Sequence, residues 1–486
     1  MKLKKLLDYA GILYHGKNPE ITDITEDSRT VTLGSLFFAV TGFSTDGNRF
    51  IPDAVRKGAV AVISDNREKA REYSKKYEIP VIYVENIREK EALIASKFFG
   101  EPSKKLKVIG ITGTNGKTTT SYILYTVLNR LGRKTAITGT VEYGTPENRK
   151  PASRTTPSAI EYNRILKEFL DEGVEFVVSE VSSHGLELHR VLGIRFEGAI
   201  FTNLTQDHLD FHGNIYNYFL SKEKLFFLTE NVSLVNFDDP FGKVLSGMRS
   251  IFSCKTITYG KHGKVKIESV ENRSYGSEIT LHFEKKKYRI RTNLKGDYNA
   301  YNVAAAFGLL VALGFEREEI KDLFDNIRVP GRLEEVKSGI FVDYAHTPDA
   351  LEKVLTALSK IKKGKLITVF GCGGDRDREK RPLMGKLAEK LSDRVIITND
   401  NPRSEDPQKI IEDILSGIEN REKVTVILNR REAIFRALSE KEEDDIVLIA
   451  GKGHENYQII GNKKFHFSDR EVIEEFYESR GSSKDS

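Results

Sequence analysis

Residues 107–132 read KVIGITGTNGKTTTSYILYTVLNRLG, and few chains can satisfy that order of residues in more than one way. The apolar run VIGIT predicts a buried strand, and TTSYILYTVLNRLG predicts a helix stopped at Gly132. Between them lies a tight turn, Gly113-Thr114-Asn115-Gly116-Lys117-Thr118-Thr119. Its glycines let backbone N–H groups close on phosphate oxygens, Lys117 reaches toward β- and γ-phosphates, and the Thr118 hydroxyl suits Mg²⁺. The helix that follows points its N-terminal dipole at the same anion. The strict pattern G-x-x-x-x-G-K-[ST] is not met, because Ile111 stands where the first Gly belongs. A plain turn with a solvated Lys117 is the competing reading. The succession strand, loop, Lys, double Thr, helix argues against it.

After this unit come KTAITGT, EFVVSEVS and GAIFTNLT, further strands of a parallel α/β sheet. VKIESV, SEITLHFE and KYRIRTNL alternate apolar and polar residues and predict an antiparallel meander at its end. NAYNVAAAFGLLVALG predicts a long helix. A chain of 486 residues is too long for one core. Upstream, SLFFAV, AVAVIS and IPVIYV are strands separated by charged helices such as NREKAREYSKKYE, and GEPSKKLK reads as a linker. Past VPGRLEE the strand–helix pattern restarts with GIFVDYAH, LITVFG, RVIITND, VTVILN and DIVLIAG. The expected fold class is therefore α/β with three domains, 1–103, 104–330 and 331–486. The tail GSSKDS is expected to be disordered.

Lys plus Arg total 76 and Asp plus Glu 71, a net charge of +5 that provides no basic face for nucleic acid. No apolar run reaches the ~20 residues of a membrane helix, and MKLKKLLDYAGILYHG reads as an amphipathic helix, not a signal peptide. Two cysteines, Cys254 and Cys372, with 117 residues between them, build neither a disulfide framework nor a zinc site. A cytoplasmic enzyme with small-molecule substrates is expected, with no nucleic-acid or membrane partner.

The shortened loop GTNGKTT is similar to that of the Mur ligases and folylpolyglutamate synthetases, which use ATP to join a carboxylate to an amine. SRTTP, EVSSHGLELHR, TNLTQDHLDFHG, GDYNAYN, PGRLE, DYAHTPD, FGCGGDRDREKRPLM, DNPR and GKGHE follow in order. Over nearly the whole chain they resemble the Mur ligases. They are closest to the branch that extends the peptide stem of UDP-N-acetylmuramoyl-L-alanyl-D-glutamate. That resemblance implies a uridine-nucleotide-binding first domain, a central P-loop ATPase-like domain and a Rossmann-like third domain for the incoming amino acid. It also implies a monomer that forms an acyl phosphate and then an amide.

The resemblance assigns catalysis to Lys117, Glu180, His208 and Lys222. Thr118 and Glu180 would hold one Mg²⁺. His208 and Lys222, the latter carbamylated to N6-carboxylysine, would hold a second, since Mg²⁺ prefers oxygen ligands. Read without the family, His208 is an ordinary structural histidine and Lys222 one lysine among many. Gly113 to Thr119 would bind ATP together with Asn299 and His346 at the adenine, Arg332 at phosphate and Asp343 at ribose. Helix capping for Asn299 and an interdomain salt bridge for Arg332 are equally compatible with their positions. Ser28, Thr155, Thr156, Ser182, Leu188 and Arg190 would hold the sugar–peptide nucleotide. Gly42-Phe43 departs from the family's usual Gly-His, and Leu188 stands where a polar residue is common.

DNPR bears on which amine is added. Arg403 is expected to bind the distal carboxylate of meso-diaminopimelate, a group lysine lacks, and to repel lysine's ammonium. Arg376, Asp400, Asn401, Pro402, Gly451 and Glu455 would complete the pocket, with Glu455 on the distal ammonium. The local alternative is a turn and helix start capped by Ser404 or Asp400. The competing functions are a lysine-adding ligase, a folylpolyglutamate-type ligase, which lacks the leading domain, and a non-catalytic nucleotide-binding module.

Overall fold

The computed structural model describes residues 1–43, 45–273 and 275–481. Apart from Gly481, the expected disordered tail lies outside them. Three separate sheets divide the chain. In the first, Asp23–Thr25, Ser35–Ala39, Ala61–Ser64 and Val81–Tyr83 lie side by side, all parallel. The opening helix Leu3–Tyr9 buries Leu3, Leu6 and Leu7, the spacing that places three side chains on one face.

The central sheet has eleven strands. Its parallel middle runs Val265–Arg273, Lys255–Gly260, Thr229–Asn236, Phe196–Phe201, Lys107–Thr112, Phe176–Glu180, Thr135–Thr138. The three strands at its centre, Phe196–Phe201, Lys107–Thr112 and Phe176–Glu180, carry mostly apolar residues, as expected for a sheet covered on both faces. The predicted meander is present, with Gly276–Phe283 and Lys286–Thr292 antiparallel to Val265–Arg273. It continues the central sheet, because Tyr259 and Gly260 pair in parallel with Val265 and Lys266. At the opposite edge a short hairpin, Glu142–Gly144 with Arg149–Pro151, was not legible from periodicity. The helix Asp297–Ala312 packs on the sheet through Val303, Ala304, Phe307 and Leu310.

The third sheet orders Glu334–Lys337, Ile340–Asp343, Ile446–Ala450, Leu366–Phe370, Arg394–Ile397 and Val424–Val426. All pairs but the first are parallel. A hairpin of Tyr457–Ile460 and Lys463–His466 stands apart from it. Among the described residues no helix is long and apolar enough to cross a membrane.

The units are joined by polar contacts. GEPSKKLK is no slack tether: Pro102 and Ser103 are buried in a single helical turn, and the Ser103 hydroxyl accepts from the Arg195 N–H at 3.2 Å. Ser96 on the helix Ile87–Phe98 donates to the Gly193 carbonyl at 3.2 Å. Between the second and third units, Lys295 pairs with Glu335 at 2.9 Å and Lys360 with Asp297 at 2.6 Å.

Within the third unit, Arg430 and Asp469 form an ion pair at 2.7 Å with both side chains fully buried, and Arg430 also donates to the Ala450 carbonyl at 3.0 Å. This ties the final helix, Asp469–Gly481, to the end of a central strand. Asp469→Asn leaves the guanidinium buried without its counter-charge. The expected cost is about 3–5 kcal/mol, read as a lowered midpoint for the third unit's transition in denaturant.

Candidate active site

The phosphate loop connects the strand Lys107–Thr112 to the helix Lys117–Arg130 as predicted. Gly113 has φ 145°, and a Cβ there would lie 1.8 Å from Thr202 Oγ1. Gly116 has φ 87°, and its Cβ would lie 2.6 Å from Asn302 Oδ1. Both positions therefore exclude a side chain by backbone conformation and by space. The loop is braced from the next strand's end: Thr114 N–H donates to the Asn203 carbonyl at 2.8 Å and Asn115 N–H to Asn203 Oδ1 at 3.0 Å. The Thr202 hydroxyl donates to the Asn115 carbonyl at 2.6 Å.

Two lysines converge on one acceptor. Lys117 Nζ donates to the Gly113 and Thr114 carbonyls at 2.9 Å each, and Lys222 Nζ donates to the Gly113 carbonyl at 2.8 Å. Lys222 is buried on the helix Ile215–Phe227, its Nζ 4.4 Å from the Tyr218 ring centroid. Burial, reinforced by the Lys117 charge, drives its pKa well below the usual lysine value. Burial lowers Lys117 as well, partly offset by Glu180 and Asp207.

Glu180 ends the strand Phe176–Glu180 and is buried. It collects the Thr118 hydroxyl at 2.9 Å, the Thr140 hydroxyl at 2.9 Å and the Thr140 N–H at 3.0 Å. From the third unit, Arg332 Nη2 donates to Thr118 Oγ1 at 3.3 Å, so one hydroxyl joins two domains. The Thr140 and Thr155 hydroxyls lie 3.1 Å apart. Thr156 donates to the Glu180 carbonyl at 3.0 Å and lies 3.1 Å from the Ser182 hydroxyl, while Arg190 donates to the Thr156 carbonyl at 3.0 Å. Thr155, Thr156, Ser182 and Arg190 thus form one polar chain leading from Glu180, and Leu188 closes the short helix beside it. Ser28 sits on the first unit, its carbonyl accepting from Lys57 at 2.8 Å, with no hydrogen bond to that chain among the described residues.

His208, in the left-handed region at φ 54°, stands 4.9 Å from His184 and 3.4 Å from Asp207. Burial holds His208 at about 4 despite Asp207, so the imidazole is neutral near pH 7. Phe43 of the first unit meets Phe211 edge to face at 5.9 Å, and Phe211 lies 4.2 Å from His184. The unusual Phe43 therefore reaches the central site.

Several of the expected residues also make contacts that the sequence did not foretell. A cavity of about 1010 Å³ opens beside the loop between the second and third units, lined by Asn115, Asn236, Tyr298, Asn302, Lys353 and Thr356 among others. Neither Asn299 nor His346 lines it; Asn302, one turn further along the helix, does. Asn299 is not a cap either, since Gly296 holds that position; it donates to the Lys295 carbonyl at 2.7 Å and accepts from Asn302 at 2.8 Å. His346 sits where Lys380, Asp207 and Arg332 influence its charge. Asp343 is buried and off the cavity wall, taking the Leu333 N–H at 2.6 Å and the Ala345 N–H at 2.7 Å, which shapes the turn carrying Arg332. Burial raises its pKa to about 6 against the opposing pull of Arg332. Arg332 crosses between domains but bonds to a hydroxyl there, not to a carboxylate.

In the third unit Arg403 adopts φ 53° and donates to the Gly374 carbonyl at 2.6 Å. Its backbone pairs with the outlying hairpin, N–H to Ile459 O at 3.1 Å and O from Gly461 N–H at 2.7 Å. The turn is real, but the following helix, Pro407–Leu415, is capped by Asp406, not by Ser404 or Asp400. Ser404 binds Asp375 instead at 2.6 Å, which pins the exposed Arg376 loop alongside. Asn401 and Pro402 are buried, and a Cβ on Gly451 would lie 2.6 Å from Asp400 Oδ2. Glu455 is already engaged by Asn401 at 3.0 Å, Lys452 at 3.1 Å and Tyr457 at 3.1 Å. The PGRLE and GKGHE loops touch backbone to backbone, for a Cβ on Gly331 would lie 2.2 Å from His454 N and one on Gly453 2.8 Å from Gly331 O.

Sequence reasoning passed over Thr140, Asn203, Asn302 and Lys452. TGT after a strand and the lysine inside GKGHE were the available signals.

A phosphate loop on a parallel sheet, closed over by an arginine from a second α/β unit, defines a three-domain nucleotide-binding protein. Residues 20–99 match the model of the Mur ligase family catalytic domain, 111–310 the Mur ligase middle domain and 331–453 the Mur ligase glutamate ligase domain. The UDP-N-acetylmuramoyl-L-alanyl-D-glutamate–2,6-diaminopimelate ligase of Aquifex aeolicus is 47% identical over 459 residues, covering 94% of this chain and 93% of that one. The ligase of the same name from Clostridium tetani is 43% identical, covering 98% and 99%. A solved structure of a ligase of that name superposes with TM-score 0.70 at 31% identity, covering 98% of this chain and 99% of the other. The chain belongs to the Mur ligase family.

Gly113→Ala drives a methyl group into Thr202 Oγ1. ATP affinity, measured by calorimetry, is expected to fall about 10-fold or more with the fold retained by circular dichroism.

Proposed function

We propose that this chain is an ATP-dependent ligase of the cytoplasm that joins meso-diaminopimelate to the D-glutamate of UDP-N-acetylmuramoyl-L-alanyl-D-glutamate, one step of peptidoglycan precursor synthesis. The observation that carries this reading is the Thr118 hydroxyl held between Glu180 and Arg332, with the polar chain to Arg190 leading away from Glu180. The names and coverage of the relatives support the choice of substrates. The boundaries 1–103, 104–330 and 331–486 divide the work into nucleotide-sugar binding, ATP binding and amine binding, all in a single chain.

The γ-carboxylate of D-glutamate attacks the γ-phosphorus of ATP and ADP leaves. The amine then attacks the acyl phosphate, phosphate departs and the amine loses a proton. The protein's task is positioning and charge neutralisation. Lys117 leaves its loop carbonyls to meet the phosphates, and Arg332 reaches the transferred group from the third unit. Thr155, Thr156, Ser182 and Arg190 fix the peptide end of the nucleotide, and Arg403 takes the distal carboxylate of the amine substrate.

Thr118 and Glu180 offer hard oxygens that fit Mg²⁺, which typically binds one or two carboxylates together with substrate phosphates. When bound, Mg²⁺ neutralises charge on the phosphate oxygens. His208 and the carbamate of Lys222 would hold a second ion. The low pKa of Lys222 supplies the neutral amine that adds carbon dioxide with loss of a proton.

Phosphate release from the purified chain with ATP, Mg²⁺ and UDP-N-acetylmuramoyl-L-alanyl-D-glutamate is expected with meso-diaminopimelate and not with L-lysine or without amine. Release with lysine alone would overturn the amine assignment, and none with either would overturn the reaction. Separately, ¹³C-bicarbonate should give a carbamate NMR signal that disappears in Lys222→Ala, with kcat reduced about 100-fold or more. Retention of the signal in that variant would remove Lys222 from the role.

A further inference from the structure

Lys452, inside GKGHE, is fully buried, and its ammonium donates to side chains. Its Nζ donates to Glu455 Oε2 at 3.1 Å and Asn401 Oδ1 at 3.2 Å, and stands 5.4 Å from the Tyr457 ring centroid. Glu455 also accepts from Asn401 Nδ2 at Oε2 and from Tyr457 OH at Oε1, so both carboxylate oxygens are engaged. Asn401 Oδ1 accepts from the Ile459 N–H at 2.9 Å, which fixes which way its amide faces. The Ile459 carbonyl accepts from the Arg403 N–H at 3.1 Å, so one residue links Asn401, and through it Glu455, to the Arg403 loop.

We propose that Lys452 is a positioning residue that sets amine selectivity by cancelling the charge of Glu455. This rests on the ligase reading above. With Glu455 neutralised, Arg403 and Arg376 outweigh Asp400, and the remaining positive charge favours an amine substrate with no net charge. Meso-diaminopimelate, with two ammonium and two carboxylate groups, is neutral overall. Lysine, with two ammonium groups and one carboxylate, is a cation. Without Lys452, an uncompensated Glu455 would attract that cation and weaken the discrimination that Arg403 provides. Glu455 retains a lone pair for the substrate's ammonium while its orientation is set from behind.

The test compares kcat/KM for meso-diaminopimelate with kcat/KM for L-lysine in the full-length enzyme. In Lys452→Met the ratio is expected to fall about 10-fold or more, through KM for the amino acid, with KM for ATP unchanged. Lys452→Arg keeps the charge and should hold the ratio within about 3-fold of wild type. Glu455→Gln removes an acceptor for the substrate ammonium and lowers kcat/KM for both amines, but it leaves Lys452 uncompensated and so penalises cationic lysine more; the ratio should rise, and this variant serves even where Lys452→Met does not fold. Lys452→Met/Glu455→Gln restores the charge balance and should bring the ratio back toward wild type. A purely structural role would lower both kcat/KM values together and leave the ratio within about 2-fold in every variant, which would overturn the proposal. A wild-type enzyme inactive with both amines would overturn the ligase reading itself, a result distinct from an unchanged ratio.

Discussion

The Gly113 carbonyl accepts from two ammonium groups at once, and much of the central unit is arranged around that concentration of positive charge. Among the described residues neither Lys117 nor Lys222 is within ion-pair distance of a carboxylate. Burial depresses both pKa values, Arg332 adding to the effect on Lys117 and the Lys117 charge to that on Lys222. A polyanion relieves the imbalance. So does conversion of one lysine to a carbamate, which replaces a cation by an anion. The bracing by Thr202 and Asn203, which takes the Thr114 and Asn115 N–H groups, holds the shape of the loop while this charge is unmet.

The third unit completes the site by a different logic. Several of its charged groups are compensated in advance: Asp343 by backbone N–H groups, Arg381 by Glu405 and Asp413, Glu455 by Lys452. On the proposed reading the phosphate loop relies on its ligand to neutralise it, while part of the amine pocket is preorganised. Preorganised polar pockets discriminate among ligands, and unsatisfied cationic ones bind phosphate strongly. The division matches what an ATP-dependent ligase asks of its two halves.

The sequence made the buried strands and long helices legible because their apolar runs are driven by burial on both faces of the sheets. It made the phosphate loop legible because glycine, lysine and threonine there have little freedom to be anything else. The two edge hairpins were not legible, since Glu142–Gly144 and Lys463–His466 pack few apolar residues and so leave no periodicity. The choice between Asn299 and Asn302 was equally hidden, because it depends on a helix's rotation against the loop and not on spacing along the chain. The backbone contacts of Asp343 were hidden for a related reason: a carboxylate near a site in sequence is free to serve its own backbone. Glu180 and Thr118, by contrast, meet as the family pattern implied.

The glycine-on-glycine contact between residues 331 and 453 makes two loops mechanically one. A shift of the backbone that carries Glu455 is passed to the backbone that carries Arg332 with no side chain between them to absorb it. Retuning the amine pocket through this seam would therefore disturb the phosphate side as well. The hairpin of residues 457–466, which grips Arg403 through backbone pairing and stands outside the main sheet, meets the pocket instead through side chains, Tyr457 to Glu455 and Gln458 to the Asp400 carbonyl. On the proposed reading, an engineered change of amine preference is freest to be made along that outer rim.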